Sequence, residues 1–133
     1  MHSKKVYKYI EPIPSFYHNS IYQLEISKST ISNAGLGTFT KENIPINTFI
    51  DFYSGDLFSI PTSKYYFSID DTIGIDAGLY PRCYMAMIND GFTKNNCEFK
   101  VDKKDKIISV WTTRHINAEE ELFASYGEEY WKN

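Results

Sequence analysis

Ile116-Asn117-Ala118-Glu119-Glu120-Glu121-Leu122-Phe123-Ala124-Ser125-Tyr126-Gly127-Glu128-Glu129-Tyr130-Trp131 is the stretch on which the reading of this chain turns. It opens with turn-forming and acidic residues, passes through a short apolar run and arrives at Tyr126-Gly127. A glycine directly after the tyrosine can take backbone angles closed to other residues, bend the chain sharply and hold the phenol at a fixed point. Taken alone, the stretch reads equally well as an edge strand with an aromatic tail. The company it keeps upstream separates the two readings.

The 133 residues suffice for one domain with its own core. Apolar content of 42% and charged content of 23% are those of a globular protein. Aromatic content is high at 17%, with 11 Tyr and 9 Phe, and β-sheets favour such side chains. A net charge of −3 without a basic stripe disfavours direct nucleic-acid binding. Cys83 and Cys97 lack metal-site spacing, and with scattered His2, His18 and His115 no metal centre is expected. Both thiols sit among apolar residues and read as reduced and buried. Charge near Met1 is not followed by an apolar run, so neither a secretion signal nor a membrane span is expected.

Residues 1–20, with Pro12 and Pro14, read as an extended lead-in, and 21–133 as the domain. Tyr22, Leu24 and Ile26 alternate with Gln23 and Glu25, the pattern of a half-buried strand. Gly35-Leu36-Gly37 lets a backbone pass close to a ligand, although as a lone signal it reads first as a tight hairpin. It is no dinucleotide fingerprint, because Thr40 holds the third glycine position. Pro45 to Thr48 is a turn in which Asn47 best tolerates a left-handed conformation. Strands are expected over Thr48–Tyr53, Tyr65–Ile69 and Ile73–Asp76, and a hairpin over Cys97–Val101 and Lys106–Thr112. Pro81 stands at a first helical position, and Arg82–Ile88 reads as a short apolar helical turn stopped by Asn89-Asp90-Gly91.

The ordered set Gly35-x-Gly37, Tyr53-x-Gly55, Ile75-Asp76-Ala77, Ile88-Asn89-Asp90, Asn96-Cys97, Glu121-Leu122 and Tyr126-Gly127 resembles the SET-domain family of protein lysine methyltransferases, with its related PR domains. The likeness runs from Ile21 to Trp131, and its compactness looks most like the small single-domain viral members. The resemblance implies a mostly β, β-clip-like fold of several short sheets and one or two short helices. Its C-terminal segment, carrying Tyr126, would thread a loop containing Asn89 as a pseudoknot. It further implies S-adenosylmethionine as cofactor, bound by Gly35, Leu36, Gly37, Asn89, Asp90, Tyr126 and Trp131. Tyr126 would be the catalytic tyrosine, Tyr53 a second catalytic-site aromatic beside the substrate amine, and Tyr130 a further wall.

Asp90 stands where the family motif has histidine, Ala86 where it has arginine, Ser125 where it has an acid, and Asn47 where it has glycine. Glu119, Glu120 and Glu121 read as a solvated turn with one structural partner among them. Ala124 matches the position that tunes channel width, and its small size implies a product beyond monomethyl-lysine. The expected partner is a basic protein or peptide, a histone tail above all, which would make the chain a chromatin regulator. A homodimer is expected where no further module closes the channel. The compartment implied is intracellular, the nucleus or a site of viral replication. The alternative is a catalytically silent SET- or PR-like interaction module.

Overall fold

The computed structural model describes residues 13–127. The chain forms β1 (Phe16–Tyr17), β2 (Leu24–Lys28), β3 (Leu36–Thr40), β4 (Phe49–Phe52), β5 (Asp56–Phe58), β6 (Tyr66–Ser68), β7 (Gly74–Asp76) and β8 (Arg82–Cys83). Two short 3-10 helices, Tyr84–Met87 and Phe92–Lys94, precede the hairpin of β9 (Cys97–Asp102) and β10 (Ile107–Thr112). The strands make four small sheets, β1-β8, β2-β3, β4-β10-β9 and β5-β7-β6, so the expected mostly-β architecture with short helices is what forms.

Local rules account for the hairpins. In β10, Ile108, Val110 and Thr112 are buried while Ile107, Ser109 and Trp111 face outward, the period of a half-buried strand. Asn47 takes φ 57° in the turn before β4, the left-handed geometry that asparagine tolerates. The β6–β7 turn is built by Asp70, whose Oδ1 accepts from the Thr72 amide (2.7 Å), the Thr72 hydroxyl (2.7 Å) and the Ile73 amide (3.1 Å). Pro81 differs from expectation. It precedes β8, not a helix, and Arg82 and Cys83 pair in parallel with Phe16 and Tyr17. The helical turn starts only at Tyr84.

The centre is the segment Glu121–Ala124, buried along its whole length. On one side Leu122 N–H donates to Thr38 O (2.8 Å) and Thr40 N–H to Glu120 O (3.0 Å). Ala124 N–H, on the same edge as Leu122 N–H, donates to Asn89 O (3.1 Å), whereas on the opposite edge Asn96 and Cys97 N–H donate to Phe123 O (3.0 and 2.9 Å), so the two arms of the 89–97 loop run parallel to the segment on its two sides. The C-terminal segment therefore passes between the two arms of the Asn89 loop, the threaded arrangement the family likeness implies. Around it lie Ile44, Ile108, Val110, Ile116, Leu122 and Ala124, each with 0% exposure.

Asn96 closes this arrangement. Its Nδ2 donates to Glu121 O (2.9 Å) and its Oδ1 accepts from Phe123 N–H (2.8 Å), so one side-chain amide replaces a strand's peptide. The residue is 1% exposed, and no water can take over those bonds. Asn96→Ala is expected to strand a buried carbonyl and a buried amide, lowering stability by about 2–4 kcal/mol in urea denaturation.

Candidate active site

Four peripheral elements are brought to one place by the threaded segment. Glu121 is the hub. Its Oε1 accepts from the Thr30 amide and hydroxyl (both 2.7 Å), and its Oε2 accepts from Ser29 Oγ (2.7 Å) and Asn89 Nδ2 (3.4 Å). Of the three consecutive acids this one is buried; Glu119 pairs with Lys41 (2.7 Å) and Glu120 with Arg114 (3.8 Å) at the surface. Gly37 must be glycine because a Cβ there would run into the Glu121 carboxylate and the Asn89 amide. Gly35 is glycine for a different reason: space is open around it, but φ is +73°.

Asn89 is oriented by this cradle. Its Nδ2 donates to Leu36 O (3.0 Å) as well as to Glu121, while its Oδ1 makes no hydrogen bond among the described residues. An amide held by its donor end presents its acceptor to whatever enters. Tyr126 lies beside it: its hydroxyl donates to Ile88 O, and its backbone amide donates to Asp90 Oδ2 (3.2 Å).

Tyr53, Tyr126, Asn89, Asp90, Gly35 and Leu36 all line one cleft of about 920 Å³. The Tyr53 hydroxyl donates to Tyr65 O, and its ring meets Phe67 edge-on at 5.3 Å and Phe99 at 6.1 Å. Burial pushes the Tyr53 phenol far above its ordinary pKa, so it stays a neutral donor. Across the cleft Arg82 is buried between Tyr65 (3.9 Å to the ring centre) and Tyr80 (4.3 Å). It donates to Ala77 O (3.1 Å) and Gly78 O (2.6 Å), neutral acceptors that leave its charge in the wall. The outer part of the cleft carries Asp70 and Asp71. Hydrogen bonds from the Thr72 side chain and backbone hold Asp70 below the ordinary carboxylate range.

Comparison with known proteins then places the chain. A family model of the SET domain matches residues 35–127. The chain belongs to the SET-domain family. A search of curated proteins by sequence returns no match. Among solved structures, a chain of ctPRC2 in an autoinhibited conformation bound to S-adenosylmethionine is similar, with TM-score 0.69 and 26% identity over 80% of this chain. This chain spans only 15% of that one. SET-domain methyltransferases use S-adenosylmethionine as methyl donor, in agreement with the cofactor expected from the motifs.

Within this SET domain the expected site residues fall as follows. Tyr126, Tyr53, Asn89, Asp90, Gly35 and Leu36 share the cleft, whereas Gly37 lies behind its wall against Glu121 and Asn89. Trp131 and Tyr130 lie outside the described residues. Ala124 needs correcting: it has 0% exposure, pairs with Cys97 and does not line the cleft, so its small side chain belongs to the core and does not widen the cleft.

Glu121 as hub, Asn96 as clamp and Arg82 as wall cation escape the sequence reading. Only the Glu121-Leu122 and Asn96-Cys97 pairs carried a signal, through motif order alone. Among the described residues no group of three His, Cys, Asp or Glu could hold a metal, and no helix is long and apolar enough to cross a membrane.

Both cysteines are free and buried, and burial pushes the Cys97 thiol up to about 12 and Cys83 above its ordinary value. Raised values keep both protonated through neutral pH. A colorimetric thiol reagent at pH 8 is expected to leave them unmodified in the native protein and to titrate both in urea.

Proposed function

We propose that this SET domain transfers methyl groups from S-adenosylmethionine to the side-chain amine of a lysine in a basic protein segment, a histone tail being the substrate class favoured. The observation that carries the reading is the meeting of Tyr126 and Asn89 in one cleft, although 37 positions apart in sequence (126 − 89). The cofactor supplies an electrophilic methyl group on a positively charged sulfur. The Asn89 oxygen is available for a cofactor ammonium, and the Gly35-Leu36 backbone approaches the same space without side-chain bulk at Gly35.

The chain's own residues then have three tasks. Alignment comes first, because holding nucleophile and methyl carbon in line removes roughly 7–11 kcal/mol of a bimolecular barrier. Tyr126, tied to Ile88 O through its hydroxyl, and Ile88 O itself offer oxygen atoms to the polarised methyl hydrogens. Such CH···O contacts contribute about 0.5–1 kcal/mol each and orient more than they drive.

The amine must also be neutral, against a free lysine pKa of about 10.4. Entry between Tyr53, Tyr126 and Phe67 strips its hydration, and the Arg82 charge in the same wall opposes a second cation. The proton lost from nitrogen leaves through water at the open mouth of the cleft, so no side chain has to act as a dedicated base. Asp70 and Asp71 on the lining give a basic segment a complementary charge.

The test has two arms. Calorimetric titration with S-adenosylhomocysteine is expected to show one site per chain, and a radiolabelled methyl assay on mixed histones is expected to label lysine. Tyr126→Phe is expected to lower turnover by at least about 100-fold with cofactor binding retained. Absence of both binding and labelling in the wild-type protein would instead favour a silent interaction module.

A further inference from the structure

We infer that Asp90 is a positioning residue for Tyr126: its carboxylate fixes the backbone from which the phenol projects and ties that backbone to the loop bearing Asn89. The inference deepens the methyl-transfer reading and rests on it.

Asp90 is 7% exposed and its two oxygens divide their work. Oδ1 accepts from Phe92 N–H (2.8 Å) and Asn95 Nδ2 (3.3 Å), both within its own loop. Oδ2 reaches across to Tyr126 N–H (3.2 Å). The ladder that fixes the threaded segment has its last bridge at Ala124, and two residues later the Asp90 carboxylate meets the amide of Tyr126. The phenol is thereby held at both ends by the neighbours of Asn89: its hydroxyl by Ile88 O and its backbone by Asp90. Immediately afterwards Gly127 turns the chain with φ +86°.

The chemistry favours a carboxylate here. Among the described residues three backbone or side-chain donors meet its two oxygens, and an ionised acid has acceptors only. An amide at the position would set its NH2 against one of those donors. The loop itself is packed tightly against the segment, since a Cβ on Gly91 would meet the Phe123 ring. Loop and segment are therefore in direct contact, and the Asp90–Tyr126 bond sets where the phenol stands against them.

The experiment separates this role from ordinary support of the fold. In Asp90→Ser, the hydroxyl keeps a short acceptor for Phe92 N–H in a local turn but does not reach Tyr126. Turnover of mixed histones with radiolabelled S-adenosylmethionine, and the Kd for S-adenosylhomocysteine, are measured in the wild-type and Tyr126→Phe backgrounds. A misplaced phenol is expected to lower kcat about 10–100-fold, with the Kd changed by less than about threefold. In the Tyr126→Phe background the same change is expected to cost less than about twofold, because the oriented hydroxyl is already gone.

Unchanged kcat in Asp90→Ser overturns the proposal. So does an equal loss in both backgrounds, which would mark general support. Asp90→Asn is the second variant; failure of both to fold assigns Asp90 to the fold and overturns the positioning role. A wild-type protein without methyl transfer removes the underlying reading itself, a result distinct from an active wild type with an indifferent position 90.

Discussion

The two-sided pairing of Glu121–Ala124 is the constraint from which the site follows. A strand buried on both flanks must find partners for every peptide group, because an unpaired buried amide or carbonyl carries a penalty of about 1–3 kcal/mol. Thr38, Thr40 and Asn89 O provide one flank, while the Asn96 and Cys97 amides and the Asn96 side chain provide the other. Satisfying the backbone in this way brings the chain to Ala124 beside the Asn89 loop, and the bonds from Tyr126 to Asp90 and Ile88 O complete the placement of the phenol.

Charge is arranged around the same segment in layers. Glu121 is buried and engaged by Ser29, Thr30 and Asn89, so it pins the Ser29-Thr30 turn to the Asn89 loop. Arg82 is buried between two aromatic faces with carbonyl acceptors, which keeps a cation in the wall at modest desolvation cost. Tyr53, held neutral by burial, contributes surface and a fixed hydroxyl. The acidic residues Asp70 and Asp71 sit on the exposed turn of the β6–β7 hairpin. On the proposed reading, a cleft built this way would draw a basic chain toward its rim and disfavour charge on an amine deep inside.

How much of this could be read from residues alone follows from the range of the interactions. The β9–β10 hairpin, β2, β4 and the Asn47 turn follow from alternation and turn chemistry, which act within a few positions. The two-residue strands β1 and β8 have no such period, since they exist only because Phe16-Tyr17 meets Arg82-Cys83 from 66 positions away (82 − 16). Tyr126, Tyr53 and Asn89 emerged through motif order. Asn96 and Glu121 look like a loop amide and a surface acid until the fold removes their water. Ala124 misled for the converse reason: its place in the order was right, but its side chain is enclosed by Cys97 and the segment's neighbours. A residue's type does not say which side of a wall it stands on.

The threading also bears on the order of events when the polypeptide is made. The β2–β3, β6–β7 and β9–β10 hairpins can form from neighbours as they emerge, but the Asn89 loop has nothing to close around until Glu121–Ala124 leaves the ribosome. Pairings of such long sequence separation form slowly. A growing chain therefore holds two open loop arms and an unfilled groove beside Thr38 from the emergence of Cys97 until that of Glu121–Ala124. Glu121–Ala124 must enter that groove before Tyr126 can stand beside Asn89.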